Sequence, residues 1–152
     1  PLDEVRDYSL QVAEWLADEA GVKIIVVACN TASAAALDLL QSKIEIPVVG
    51  VIEPGSRALL KATSTGRVGV IGTVGTVSSG AYQRAVAELD REKHLTCAAC
   101  PGFVEFVERG ETESEQLAVL AERLLAPLKE AGIDSLLLGC THYPFLSRTI
   151  LD

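Results

Sequence analysis

The stretch KIIVVACNTASAAALDLLQS, from Lys23 to Ser42, determines the fold class of this chain. Residues 23–28 are rich in β-branched side chains and apolar at consecutive positions, which is typical of a parallel strand buried on both faces. Residues 31–42 are rich in Ala and Leu, which favour a helix. A strand joined to a helix through the short turn Cys29-Asn30 is one unit of an α/β fold.

The same alternation continues on both sides of this unit. Helices are predicted at residues 2–20, 31–42, 53–62, 78–91 and 113–131, and strands at 23–28, 46–51, 66–71, 95–99 and 135–138. Strands that alternate with helices predict an α/β architecture with a mainly parallel sheet. Because Pro and Gly interrupt regular structure, we place a domain boundary near Pro54-Gly55.

Composition and charge exclude several classes of protein. The 152 residues are 49% hydrophobic and 22% charged, close to the averages of globular domains. The 13 Lys and Arg against 21 Asp and Glu give a net charge of −8, which repels nucleic-acid phosphates and anionic membrane surfaces. No apolar run approaches the roughly 18–20 residues of a membrane span, and no secretory signal is visible. We therefore expect a cytoplasmic protein whose cysteines are thiols and whose partners are neither nucleic acid nor membrane.

Three strand ends carry the polar residues of a potential site, because ligands of parallel sheets bind at the carboxyl ends of the strands. These turns are Cys29-Asn30-Thr31, residues 72–76 and Cys140-Thr141-His142. A thiol at the start of a helix is near a positive dipole end that favours the thiolate, although cysteine is also a common core residue. Two cysteines at equivalent strand ends favour a function, and His142 could exchange a proton with Cys140.

Other motifs give weaker indications. Cys97 and Cys100 have the spacing of a redox pair or half a zinc site, but no second pair of ligands has matching spacing, so no metal site is expected. The segment GVIGTVGT lacks the dinucleotide and P-loop signatures, yet the hydroxyls of Thr73 and Thr76 would suit a small carboxylate. Glu108 either tunes a neighbouring acid or base or is a solvated helix carboxylate.

Five segments, in this order, resemble the glutamate racemase family of the aspartate/glutamate racemase superfamily. They are VVACNTAS (26–33), GVIEPG (50–55), GVIGTVGT (69–76), CPGFVEFVERG (100–110) and LLGCTHYP (137–144). The resemblance implies two similar parallel-sheet α/β domains, with residues 1–52 as an incomplete first domain and residues 53–152 as the second. It also implies a cytoplasmic homodimer that interconverts L- and D-glutamate without a cofactor and supplies D-glutamate for peptidoglycan.

The matching motifs imply a role for individual residues. Cys29 and Cys140 would act as the acid and base, His142 would assist Cys140, and Glu108 would be the acidic helper. The residues implied to bind the amino acid are Asn30, Thr31, Thr73, Thr76, Thr141 and His142. Two thiols that each approach the reacting carbon to about 3–3.5 Å should lie roughly 7 Å apart. No lysine lies in the three turns, so no Schiff base with pyridoxal phosphate is expected.

The chain departs from the family pattern at its ends. The Asp-Ser-Gly strand and Tyr-Gly loop that open the family do not occur, the sequence contains no Met, and the family continues beyond residue 152, so we expect a piece of a longer protein. Gly102 and Glu105 also replace a Leu and a Pro of the family segment. Three alternatives stay open: an aspartate or hydantoin racemase, a catalytically impaired amino-acid-binding fragment, and a thiol redox protein that uses Cys97 and Cys100.

Overall fold

Helices and strands alternate along residues 2–151, which the computed structural model describes. The helices are α1 (Leu2–Asp18), α2 (Asn30–Lys43), α3 (Ile52–Ala62), α4 (Val74–Ser78), α5 (Ala81–Leu89), α6 (Phe103–Glu108), α7 (Glu115–Ala131) and α8 (Ser147–Leu151). The strands are β1 (Ile25–Val27), β2 (Val48–Gly50), β3 (Arg67–Gly72), β4 (His94–Ala99) and β5 (Ser135–Gly139). No helix in this part of the chain is both long and apolar enough to cross a membrane.

The strands form two parallel sheets within residues 2–151. One sheet pairs β1 with β2, and the other has the order β4-β3-β5. Val26 lies opposite Val49 in the first sheet, and Val70 lies between Cys97 and Leu137 in the second. The prediction of an α/β fold with parallel sheets is confirmed. The division into domains at residues 52 and 53 stays a prediction.

Two local expectations were wrong. The Pro54-Gly55 pair does not interrupt the chain but lies in the first turn of α3, where proline is tolerated because the first N–H groups of a helix have no partner within it. The helix predicted over residues 78–91 begins only at Ala81, as α5, because Gly80 separates it from the short helix α4, which ends at Ser78. Gly80 has a left-handed backbone with φ of +70°, a conformation that glycine adopts without steric cost.

The second sheet is covered on both faces. Val68, Val70 and Ile71 of β3 are fully buried. One face packs against α7, and the other packs against α3 and α5. Because β3 is the central strand, the turn that follows it is held between the ends of its two neighbours.

The first sheet has an apolar face that other parts of residues 2–151 leave exposed. Residues 23–28 were expected to be buried on both faces, but Val26 is 60% exposed because α1 and α2 pack with the sheet around Ile25. Tyr8, Val12 and Val26 line a shallow cavity of about 300 Å³, and Trp15 lies one helical turn beyond Val12. We call these four residues the apolar face.

This apolar face should cause the isolated chain to self-associate, because exposed apolar patches lower their free energy by leaving water. Sedimentation velocity should show a weight-average mass that rises with concentration. The double variant Val12→Lys with Val26→Lys should suppress the rise. Val119→Lys is the matched control, since Val119 is 64% exposed but lies on α7. A wild-type chain that stays monomeric at every concentration would contradict the prediction.

Asp134 ties the start of β5 to the turn that precedes β3. Its carboxylate accepts hydrogen bonds from the Thr63 hydroxyl at 2.5 Å, the Ser64 N–H at 2.8 Å and the Thr65 N–H at 2.7 Å. The Ser64 hydroxyl donates a fourth bond at 2.9 Å. These donors, the Thr63 hydroxyl first, hold the pKa of Asp134 well below its usual range.

Asp134→Asn should therefore lower the midpoint of thermal unfolding at pH 7. The pKa of the carboxyl is lower in the folded than in the unfolded chain, so its stabilisation is present above the unfolded value of about 3.9 and is lost as the pH falls through the folded value. The difference in the midpoint of thermal unfolding between wild type and variant should accordingly become smaller as the pH falls below about 4. Asp90→Asn, at a carboxylate that accepts a backbone N–H from Glu92, should show a smaller change. A difference that is equally large at pH 7 and pH 3 would argue against this account.

Candidate active site

The carboxyl ends of β1, β3 and β5 lie close together, so the three turns singled out in the sequence are neighbours in the structure. The hydroxyl oxygens of Thr31, Thr73 and Thr76 lie within hydrogen-bond distance of one another, although Thr31 follows the first sheet and the other two follow β3. A cavity of about 240 Å³ is lined by residues that include Asn30 after β1 and Cys140 and Thr141 after β5. One site therefore receives residues from both sheets.

Cys29 lies at the amino end of α2 and is exposed. It is the N-cap residue of the helix, and its Sγ accepts a hydrogen bond from the Ala32 N–H at 3.5 Å. The sulfur thus lies at the amino end of the helix. This position makes Cys29 accessible to a substrate.

Cys140 directly follows β5 and is only 8% exposed. Burial raises the pKa of its thiol, and a negative charge on Cys29 raises it further, while the backbone N–H groups of His142 and Tyr143 oppose the shift. Cys140 is therefore protonated at neutral pH in this structure. The effect of Cys29 means that the ionisation of one cysteine disfavours that of the other.

His142 connects Cys140 to Glu108. The Nδ1 atom of His142 lies 3.8 Å from the Cys140 Sγ, and its Nε2 atom lies 2.6 Å from Oε1 of Glu108. Glu108 is the last residue of α6, and its side chain is 67% exposed, against 30% for His142. Glu108 is thus a solvated helix carboxylate that also contacts His142, and its role in tuning a neighbouring acid or base stays a prediction.

The three threonines form a compact group of hydroxyls. Thr31 Oγ1 lies 2.9 Å from Thr73 Oγ1 and 3.0 Å from Thr76 Oγ1, and the last two lie 3.0 Å apart. Thr73 also caps α4 by accepting the Thr76 N–H at 3.2 Å. Thr76 is fully buried, so Thr31 and Thr73 are the members of this group whose hydroxyls could contact a carboxylate directly, with Thr76 holding them in place.

Asn30 is held by a residue that the sequence did not indicate. Asn30 is 8% exposed, and its Oδ1 accepts a hydrogen bond of 2.5 Å from the hydroxyl of Tyr82 on α5. Thr141 is exposed at the rim of the same cavity. Tyr82 was predicted only as part of a helix, since no motif contains it and its partner lies 52 residues earlier in the chain.

Cys97 and Cys100 are poorly placed to react with each other. Cys97 packs with Val68 and Val70, whereas Cys100 packs with Phe103 on the other face of the sheet. Cys97 is half-buried and Cys100 is buried, and burial raises the pKa of Cys97 to about 11 and that of Cys100 to about 12. Protonated thiols on opposite faces of a sheet do not suit a redox pair.

The parallel strand ends present two cysteines beside a hydroxyl cluster, and a family comparison identifies the class of protein to which the chain belongs. The profile of the Asp/Glu/hydantoin racemases matches residues 2–151. The chain belongs to this family.

Within the family, several relatives at about 50% identity are named glutamate racemase. That of Corynebacterium kroppenstedtii is 50% identical over 150 residues, which are 99% of this chain and 52% of the relative. The crystal structure of a glutamate racemase isoform from Bacillus anthracis has a TM-score of 0.93 at 43% identity, over 99% of this chain and 56% of that one. The glutamate racemase of Francisella tularensis, solved in complex with D-glutamate, has a TM-score of 0.90 at 30% identity and covers 99% and 56% of the two chains. The present chain thus spans about half the length of the relatives it matches.

Proposed function

We propose that this chain supplies the two acid–base cysteines of a glutamate racemase, an isomerase that interconverts L- and D-glutamate. The observation that carries the proposal is the placement of Cys29 and Cys140 just after strands of two different sheets. Cys140 lines a cavity with Asn30 and Thr141, and Cys29 directly precedes Asn30. The names of the relatives and the D-glutamate bound to the Francisella tularensis protein favour glutamate over aspartate or a hydantoin.

Inversion of an α-carbon requires a base on one face and an acid on the other. In one direction the Cys29 thiolate removes the α-proton, and the Cys140 thiol delivers its own proton to the opposite face of the carbanion. The products are the other enantiomer, a Cys29 thiol and a Cys140 thiolate. In the reverse direction the two cysteines exchange roles, so no oxidant, metal or carbonyl cofactor enters the balance.

The opposite environments of the two thiols support this division of roles. Cys29 is exposed at the start of α2, whereas Cys140 is buried and the pKa of its thiol is raised. A two-base inversion requires one thiolate and one thiol at its start, and the raised pKa suits Cys140 to be the thiol. Because a charge on Cys29 disfavours one on Cys140, the site resists having both cysteines ionised at once.

The remaining groups supply binding and proton transfer. The hydroxyls of Thr31 and Thr73, held in place by Thr76, are proposed to bind the charged groups of the amino acid together with Asn30 and Thr141. His142, held by Glu108, is proposed to accept the proton of Cys140 when that residue must act as the base. A neutral imidazole that donates through Nε2 to Glu108 has Nδ1 available as the acceptor.

Several features of the whole protein belong to the proposal as well. We infer a cytoplasmic, cofactor-independent homodimer whose substrate is glutamate and whose product supplies D-glutamate for peptidoglycan. The net charge of −8 argues against nucleic acid or anionic membranes as partners. Dialysis against a chelator and treatment with a carbonyl reagent should leave racemisation unchanged.

The decisive experiment is α-proton exchange in deuterated water, followed by proton NMR with L-glutamate and with D-glutamate. A protein of the relatives' full length that carries this sequence should lose the α-proton signal and produce the other enantiomer. Aspartate, at the same concentration, should exchange far more slowly. Binding of glutamate without exchange would mean that the protein is an amino-acid-binding module and not an enzyme. Faster exchange of aspartate would mean that aspartate, and not glutamate, is the substrate.

A further inference from the structure

Tyr82 contacts both turns that carry the proposed acid–base cysteines. Its hydroxyl donates to Oδ1 of Asn30, the residue after Cys29. Its ring lies against Gly139, the residue before Cys140. The Cε2 atom of Tyr82 is 3.3 Å from the position that a Cβ atom would occupy on residue 139. One side chain therefore spans the space between the two turns.

The hydrogen bond between Tyr82 and Asn30 is buried, and the phenol that donates it stays protonated at neutral pH. Tyr82 is 2% exposed and Asn30 is 8% exposed. Burial raises the pKa of Tyr82 to about 12, so its phenol keeps the proton that it donates. A buried amide that lost this donor would have an unsatisfied oxygen, which is costly.

The hydrogen bond also determines what Asn30 can offer to a substrate. An asparagine amide has one acceptor oxygen and one donor nitrogen group. With Oδ1 engaged by Tyr82, the amide is oriented so that Nδ2 is the group left to donate. Asn30 lines the same cavity as Cys140 and Thr141, so this donor belongs to the site in which a glutamate carboxylate would bind.

We propose that Tyr82 is a positioning residue of the racemase, which holds the Asn30 amide as a carboxylate donor and fixes the Cys29 turn against the Cys140 turn. The inference rests on the proposed function and adds a residue that acts only through its neighbours. It complements the bonds of Thr31 to Thr73 and Thr76, which join the same end of α2 to the end of β3. Together they connect the start of α2 to the second sheet.

The test is Tyr82→Phe in the full-length protein that carries this sequence. Asn30 would bind the carboxylate alike in the ground state and the transition state, so its misorientation should raise KM with little change in kcat. Loss of one hydrogen bond predicts a KM for glutamate about tenfold higher. In the Tyr82→Phe background, Asn30→Ala should raise KM little further, because the two changes remove the same interaction.

Thr149→Val is the control for a purely structural role, because it removes one hydroxyl with little change of shape. Thr149 is half-buried on α8, and its hydroxyl donates to the backbone carbonyl of Thr112 at 3.1 Å. This variant should lower the urea midpoint of unfolding as Tyr82→Phe does, but leave KM unchanged. In the 152-residue chain, the effects of Tyr82→Phe and Asn30→Ala on the urea midpoint should be non-additive, which tests the contact without any assay of activity.

The outcomes separate this inference from the function on which it rests. An active wild type whose KM is unchanged by Tyr82→Phe, or is raised equally by Thr149→Val, refutes the role of Tyr82 alone. A wild type that neither racemises glutamate nor exchanges its α-proton refutes the proposed function and this role with it. Additive effects on the urea midpoint would refute the contact itself.

Discussion

Cys29→Ser and Cys140→Ser should each reduce racemisation by at least about 10³-fold, within the range that one acid–base group contributes. A serine hydroxyl is far less acidic than a thiol, so it provides neither a base at neutral pH nor an efficient proton donor. Each variant lacks the acid or the base on one face of the carbon, and inversion requires both. Circular dichroism of the glutamate solution, followed from each enantiomer, measures the loss.

Exchange of the α-proton gives a sharper outcome than the loss of activity. With one cysteine replaced, the other can still remove the proton that faces it, so each variant should retain slow exchange into deuterated water for one enantiomer. Cys29→Ser and Cys140→Ser should retain it for opposite enantiomers. Equal exchange of both enantiomers by a single variant would contradict a mechanism with one base on each face.

Cys97→Ala and Cys100→Ala are the controls for this prediction. Alanine is preferable to serine at these positions because both thiols pack in the core, where a new hydroxyl would be buried. Both variants should lower stability through lost packing and keep most of the activity. A loss of racemisation confined to these two variants would mean that Cys97 and Cys100, and not Cys29 and Cys140, carry out the reaction.

The sequence predicts the fold class well because the signals that define it are local. The β-branched run at residues 23–28 and the Ala- and Leu-rich run that follows specify strand and helix without reference to distant residues. The errors arise where the effect of a residue depends on its position within a helix, at the end or in the interior. Pro54 is compatible with the first turn of α3 although not with a helix interior, and the pattern of residues 78–91 does not show that Gly80 adopts a left-handed backbone.

The exposure of β1 shows a second limit. An apolar run predicts that both faces of a strand are covered, but not which segment covers them. Within residues 2–151, β1 pairs with β2, and Val26 faces away from the Ala13 and Ile25 cluster. Composition identifies the strand, whereas its burial depends on partners elsewhere in space.

Residues of the candidate site were predictable where they lie within a sequence motif. They were not predictable where they contact residues that are distant in the sequence. The turns at Cys29 and Cys140 follow from the position of a cysteine after an apolar strand. Tyr82 and Asp134 carry no such signal, because their partners are 52 residues and about 70 residues away. Contacts at this separation arise only after the sheets have formed, so single-sequence reasoning does not find them.

His142→Asn should lower kcat/KM by about 10²-fold, since the imidazole lies 3.8 Å from the Cys140 sulfur and is proposed to accept its proton. Burial raises the pKa of Cys140, so this thiol needs an acceptor before it can act as a base. The equilibrium constant between two enantiomers is one, so kcat/KM must fall equally with L-glutamate and D-glutamate. Measurement in both directions therefore serves as an internal check of the assay.

The same variant should change the reactivity of Cys140 directly. Alkylation by iodoacetamide requires the thiolate, so peptide mapping of labelled Cys140 as a function of pH reports its ionisation. In His142→Asn the labelling of Cys140 should require a higher pH, whereas that of Cys29 should be unchanged. Glu108→Gln is the graded control: its exposed side chain can still accept from Nε2 but carries no charge, so kcat/KM should fall by about tenfold or less. If His142→Asn leaves both the labelling of Cys140 and kcat/KM unchanged, then Cys140 exchanges its proton with solvent, and the contact of 3.8 Å with His142 has no part in the reaction.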